Sequence, residues 1–426
     1  MKQIQFERTT WNHIRLHVLP TDRFKTFAIS VYIGRPLEEE TVTSTALTPF
    51  VLRRGTEFRP ETKQFREYLD DLYGAGFGFD IYKRGDYQIV QLRMDIINDR
   101  FVKSAQSLLE QGLDFVGETL TKPALEEGHF RNKYVDAEKQ TLQKRIESVI
   151  NDKIRYAAER CIEEMCSDDP YRLHPLGKID DLDPINAEQL YEQYKHWLQT
   201  APIDIYVVGN TTLFEVEGIV KQAFSIERKE DVGYVTSAPR GATGDVKTIV
   251  ERLDVNQGKL NMGLRTNISY RDEQYPVALM YNGVLGGYPH SKLFTNVREK
   301  ASLAYYASSR FDGHKGILTI QSGIEMANYE KAVDIIRKQL TAMEQGDISD
   351  IEWNQTRAMI ANQLREIQDS AFELISFDFN AILSGKERTV SGLIESVEQV
   401  DIAAIAEAAK RVQLDTIYFL RDQKGE

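Results

Sequence analysis

A chain of 426 residues is too long for one ordinary hydrophobic core, and 42% hydrophobic with 28% charged residues describes a folded protein rather than a disordered one. The formal net charge of -12 argues against a nucleic-acid partner, because phosphate binding needs a concentrated basic surface. No run approaches the roughly 20 apolar residues of a membrane helix.

Glu7 and Arg8 stand where a signal peptide would need an apolar core, which predicts a chain that stays in the cytoplasm. Residues 14 to 34 read as two strands joined by a polar turn at Thr21-Asp22. A mostly apolar helix, Ala46 to Leu52, is closed by Gly55. Pro60 opens a further helix, Glu61 to Leu72, with Phe65, Tyr68, Leu69 and Leu72 at helical spacing. A hairpin follows, Phe79 to Arg84 and Tyr87 to Ile96, turned at Arg84-Gly85-Asp86. A helix is predicted from Arg100 to Phe115, and a long one, or two in succession, from about Leu125 to Met165.

Cys161 and Cys166, the two cysteines, lie in that helical stretch at C-x4-C spacing. The spacing matches neither a zinc knuckle nor a redox pair, so they read as ordinary thiols in a reducing compartment. Residues 168 to 177 are a loop by composition, Asn186 caps a helix to Leu198, and a strand, Ile203 to Val208, leads to a helix from Thr212 to Phe224. Residues 228 to 246 lack apolar periodicity and are read as a linker. It divides an N-terminal domain, 1–227, from a C-terminal domain, 247–426.

Local instruction is densest from Leu285 to Phe311. Gly286, Gly287 and Pro289 break what precedes, Ser291 is a natural cap for a helix to about Lys300, and Leu303 to Phe311 is a strand turned at Asp312-Gly313 into a second one. Arg298 ends the helix and Tyr305 begins the strand, so the two present a guanidinium and a phenol to one small region. Two readings stand here: a site for a carbonyl or carboxylate, or a helix-capping Arg298 beside a half-buried strand tyrosine.

The halves repeat each other. Gly85 and Gly313 are each followed by a strand and then a helix, starting at Phe101 and Tyr329 with the same spacing. Glu127 with Phe130, and Glu352 with Trp353, open a long helix in each half. Self-similarity at half the chain length predicts duplicated domains. The expected fold class is α+β, each domain a largely antiparallel sheet packed against helices.

No metal site is legible. His13 and His17 lie around the first strand, where four residues span about 13 Å, too far for two ligands of one ion. Neither a serine elbow nor a nucleotide-binding P-loop is present.

Several segments together resemble the pitrilysin/insulinase family of inverzincin metallopeptidases, in its smaller two-domain, processing-peptidase-like branch. They are LGGYPHSKLFTNVREKASLAYYASS at 285–309, DPYRLHPLGKIDDL at 169–182, YVVGNTT at 206–212 and RRGT at 53–56. The resemblance implies that Arg298 and Tyr305 bind a substrate backbone and stabilise a tetrahedral intermediate. It also implies an inverted H-x-x-E-H motif just before Gly55-Thr56, and there the sequence departs. Those positions hold Ala46, Leu47, Thr48, Pro49 and Phe50, and Pro49 predicts a changed local backbone. The distal acidic ligand aligns with Arg145, while Glu138 keeps a supporting acid.

With the ligands and the general base replaced, the resemblance implies no zinc in this chain and no independent peptidase activity. The expected role is that of a non-catalytic subunit paired with a zinc-bearing homologue in a heterodimer. It would enclose a chamber for a peptide or unfolded protein and lend Arg298 and Tyr305 to the partner's site. The second reading is a homodimeric pseudoenzyme that binds peptides or proteins without hydrolysis. A related bacterial branch is associated with modification of elongation factor P, a context the resemblance allows.

Overall fold

The computed structural model describes residues 5–104, 106–229, 232–242 and 244–423; positions 230, 231 and 243 of the expected linker lie outside them. The chain opens with β1 (Glu7–Trp11), β2 (Ile14–Pro20) and β3 (Thr26–Pro36), then α1 (Val42–Leu52), α2 (Thr62–Asp71) and the hairpin β4 (Gly76–Arg84) and β5 (Tyr87–Ile97). There follow α3 (Leu108–Thr121), a small hairpin of β6 (Leu125–Glu126) and β7 (His129–Phe130), α4 (Asn132–Asn151), α5 (Lys153–Met165), α6 (Ala187–Thr200), β8 (Ile203–Gly209) and α7 (Leu213–Ala223). The second half runs β9 (Lys247–Arg252), β10 (Gly258–Arg265), α8 (Tyr275–Asn282), β11 (Ala304–Asp312), β12 (Ile317–Ile324), α9 (Tyr329–Glu344), α10 (Asp350–Glu366), α11 (Ala371–Ser384), α12 (Val390–Glu398), α13 (Ile402–Ala409) and β13 (Gln413–Arg421). Among the described residues, no helix is long and apolar enough to cross a membrane.

Three stretches differ from the sequence expectation, each for a local reason. Strand β1 pairs with β2 across a two-residue turn in which Asn12 and His13 both take positive φ, the twist a tight hairpin favours. The helix expected from Arg100 starts instead at Leu108. Arg100 sits in a single 3-10 turn, and Ser107 supplies the cap, its hydroxyl accepting from the Glu110 amide at 3.2 Å. The long helical stretch from Leu125 begins as the β6–β7 hairpin, because Glu127 and Gly128 turn the chain at positive φ. Asp152 then divides α4 from α5 by accepting from the Ile154 and Arg155 amides.

Two compact units form, and neither is continuous in sequence. One gathers the described residues of Met1–Glu147, Leu173–Val235 and Ser370–Phe377; the other gathers those of Ser148–Arg172, Thr236–Asp369 and Asp378–Glu426.

The first unit is built on a sheet of order β1-β2-β8-β3-β5-β4. Strands β3 and β8 are almost continuously apolar and buried on both faces, as central strands require. Only β2 and β8 run parallel. A large apolar cluster joins this sheet to α1, α3, α6 and α7. On the opposite face of the sheet lies a buried polar knot: Arg15 holds Asp204 with two bonds of 2.7 Å, and His17 Nε2 donates to the same carboxylate at 2.9 Å. Burial alone would raise the Asp204 pKa, but the Arg15 and His17 hydrogen bonds prevail and hold it at about 2.

The second unit has the order β11-β12-β10-β13-β9. Its one parallel pair is β13 with β9, and the rest is antiparallel. Apart from β1, which has no counterpart, this repeats the first sheet, with β10 in the place of β3, β13 of β8 and β11 of β4. The fold is thus α+β with a duplicated, largely antiparallel plan. Helix α5 comes from the first half of the chain yet packs on β10 and β13, which buries Cys161; burial pushes its thiol pKa well up. Tyr171 donates to Asp312, and Lys315 meets Asp169 at 2.9 Å, tying the DPY of residues 169–171 into this unit.

Candidate functional site

Helix α1 carries Ala46, Pro49 and Phe50, the positions that the resemblance aligns with a zinc motif. All eleven of its residues are buried, so an exposed polar face was never available to shape its sequence. The loop 173–182 clasps it: Thr43 Oγ1 donates to Asp181 at 2.9 Å and accepts from the Lys178 amide at 3.1 Å. Gly177 in that loop has φ +76, and a Cβ there would sit 2.1 Å from Thr43 Oγ1, so only glycine fits. Gln88 adds bonds to the Val42 and Pro175 carbonyls.

The helix continues through Pro49 to Leu52, with Pro49 in its last turn. The changed backbone expected there is limited to the amide that proline lacks. Arg53 N still closes onto the Pro49 carbonyl at 3.2 Å, and the burial of every neighbour offsets the local cost. The RRGT that follows is held from both sides. Arg54 Nε donates to the buried Glu138 on α4, and Thr56 Oγ1 donates to Glu118, which also meets Arg59 at 2.5 Å.

Ala46 and Phe50 stand one helical turn apart on α1, and Arg145 of α4 lies with its guanidinium 5.6 Å from the Phe50 ring centre. Phe50 packs edge-on against Phe79 at 4.7 Å. The structure therefore brings Phe50 and Arg145 together. A methyl group, a pyrrolidine ring, a phenyl ring and a guanidinium offer no lone pair to a cation, so these residues do not fit zinc. Among the described residues, no group of three or more His, Cys, Asp or Glu could hold a metal ion.

The second candidate region lies in the other unit. The segment preceding β11 is irregular at every step. Gly283–Gly287 and Phe294–Lys300 are π-helical, Ser302 has φ +50, and β11 is bulged between Ala304 and Tyr306. Tyr305 is the extra residue of that bulge on an edge strand, and it is 66% exposed. Arg298 is exposed on the second π-helical segment, its guanidinium 4.5 Å from the Phe294 ring centre. π-Helical turns and bulges are strained forms that re-aim side chains and concentrate at functional sites.

These irregularities are tightly supported. A Cβ on Gly286 would lie 2.6 Å from the Ser309 amide, so glycine lets the first π-turn rest on β11. Ser309 in turn bonds Asn282, and Leu303 N closes onto the Val297 carbonyl at 3.2 Å. Lys292 pairs with Glu352 of α10, and Asn296 with Gln339 of α9. Ser291 opens the helix with its carbonyl, accepting from Thr295 N at 2.9 Å, while its buried hydroxyl has no partner; the side-chain cap expected there does not form.

Against known proteins, the chain is 42% identical over 409 residues to a probable inactive metalloprotease, YmfF, of Bacillus subtilis, covering 96% of each chain. The chain belongs to the peptidase M16 family. Its residues 184–360 match the family model described as the peptidase M16 inactive domain. An uncharacterized zinc protease of the same organism, YmxG, is 21% identical over 416 residues, covering 95% of this chain and 94% of that one. A conserved protein from Enterococcus faecalis superposes with a TM-score of 0.94 at 30% identity, covering 99% of this chain and all of that one. These relatives bear out the pitrilysin/insulinase resemblance and the two-domain α+β fold.

Glu118, which holds Thr56 just after α1, was not foreseen, because nothing local in the sequence pairs the two.

Proposed function

We propose that this chain is the non-catalytic subunit of a heterodimeric zinc peptidase. It pairs with a zinc-bearing homologue, encloses a chamber for peptides, and supplies Arg298 and Tyr305 to the partner's site. The observation that carries this reading is an asymmetry. The positions of the zinc motif are filled by Ala46, Pro49, Phe50 and Arg145, with Phe50 and Arg145 stacked on each other. The Arg298 and Tyr305 region keeps its strained backbone and leaves both side chains facing solvent. The similarity to a protein named probable inactive metalloprotease supports the same view.

Arg298 offers the paired donors suited to a carbonyl oxygen that gains negative charge, and the Tyr305 hydroxyl offers a third. The test is reconstitution with a zinc-bearing homologue from the same host, assayed on unstructured peptides. Hydrolysis is expected only in the mixture, falling on the order of a hundredfold with Arg298→Ala. A mixture as active with Arg298→Ala or Tyr305→Phe as without them overturns the reading. A self-associated chain that binds peptides, with a mixture that never hydrolyses them, establishes the homodimeric pseudoenzyme instead.

A further inference from the structure

At the C-terminal end of α1 lies a cavity of about 250 Å³, walled by residues of α1's terminus, α2, β4 and α4. A pocket of this size accommodates a ligand of about one amino acid. Its floor is Glu138, only 3% exposed. One carboxylate oxygen, Oε1, is taken by Arg54. The other, Oε2, is enclosed and has no hydrogen-bond partner. An acceptor withdrawn from water without a donor is costly, so this oxygen calls for an N–H or ammonium group.

Arg53 and Arg66 stand at the rim. Among the described residues neither forms a hydrogen bond or ion pair; Arg53 leans on the Phe79 ring at 5.1 Å. Burial lowers the Arg53 pKa, and although Glu138 opposes this, Arg66, Arg54 and Arg145 push the same way. Three guanidinium groups against one carboxylate leave the cavity with an excess of positive charge. The rest of the wall is Phe65, Leu69 and Phe77, with the hydroxyl-bearing Thr62 and Thr141.

We propose that this cavity binds an apolar α-amino carboxylate of about leucine size, either free or as the last residue of a peptide. The carboxylate lies between Arg53 and Arg66, the amino or amide N–H is drawn to the Glu138 carboxylate, and the side chain rests on Phe65, Leu69 and Phe77. The site is complete within one chain and needs no catalytic partner, so its fate is independent of the heterodimer reading.

The experiment is titration calorimetry on the full isolated chain with L-leucine and Gly-Gly-Leu, compared with L-leucinamide and 4-methylpentanoate. Saturable one-to-one binding of L-leucine identifies a free amino acid; binding of Gly-Gly-Leu alone identifies a peptide C-terminus. Removing the carboxylate, as in leucinamide, or the amine, as in 4-methylpentanoate, is expected to weaken binding at least about tenfold. Arg66→Ala, at an exposed position that leaves the fold intact, is expected to do the same, with Arg66→Lys recovering part of the loss. Absence of binding by both L-leucine and Gly-Gly-Leu overturns the assignment. So does equal binding of either analogue, or Arg66→Ala binding as tightly as the parent.

Discussion

Replacing Ala46→His, Pro49→Glu, Phe50→His and Arg145→Glu together is expected to create a zinc site, because the scaffold around these positions is intact. Positions 46 and 50 share one face of α1, and the approach of Arg145 to Phe50 places position 145 opposite them. Loss of the Phe50 ring and its contact with Phe79 costs about 3 kcal/mol. Positions 46 and 49 are buried as well, so the imidazole and carboxylate introduced there are costly without a cation, and the variant is expected to depend on zinc for much of its stability. Zinc at about a hundred times its dissociation constant then adds about 2.7 kcal/mol. For a unit of this size that is a rise in Tm of about 5–11 °C. The assay is thermal denaturation with zinc, with magnesium and with chelator, alongside the metal content of the purified protein. A folded variant whose Tm is indifferent to zinc refutes the claim that these four positions converge.

The Asp204 knot predicts an acid sensitivity whose sign follows from its lowered pKa. Stability from this carboxylate is present in full above about 3.8 and is lost as the pH falls through about 2. The contribution is about 2 kcal/mol, half of it gone by about pH 3, and urea titrations at a series of pH values with Asp204→Asn as reference measure it; parallel curves for the two proteins contradict the assignment. Asp204→Asn itself, which strands the Arg15 charge, is expected to cost about 3–5 kcal/mol at neutral pH. Gly177→Ala forces a side chain into a left-handed backbone and against Thr43, and a loss of about 2–4 kcal/mol in urea denaturation is expected; a change within about 0.5 kcal/mol removes the clasp as a support of α1.

Elements with strong local signals are legible in the sequence. The Asn186 cap, the β4–β5 and β11–β12 hairpins and the α9 and α10 helices follow from turn residues and periodicity, and each forms where expected. What stayed hidden depends on partners far apart in sequence. The sequence leaves open whether α4 and α5 are one helix or two in succession, and only the packing of α5 on β10 and β13 assigns it to the second unit. The site divides the same way. Arg298 and Tyr305 stand out from their spacing in a motif, but the π-helical turns and the bulge at Tyr305 have no signature of their own. They arise because Gly286, Ser309 and Asn282 must all fit one contact.

The two candidate regions have been treated differently by their surroundings, and this bears on what the chain can do. Around α1, the clasp of Gly177 on Thr43, the Arg54 bond to Glu138 and the Thr56 bond to Glu118 tie the helix and the turn after it to their neighbours. The helix therefore owes its place to burial and to these bonds rather than to an ion. Phe50 with Arg145 forms a small apolar and cationic contact between α1 and α4. A scaffold held by burial and hydrogen bonds can keep its shape while its ligand chemistry changes one wall at a time. The positively charged rim at Arg53 and Arg66, against the unsatisfied oxygen of Glu138, is where that alteration is visible.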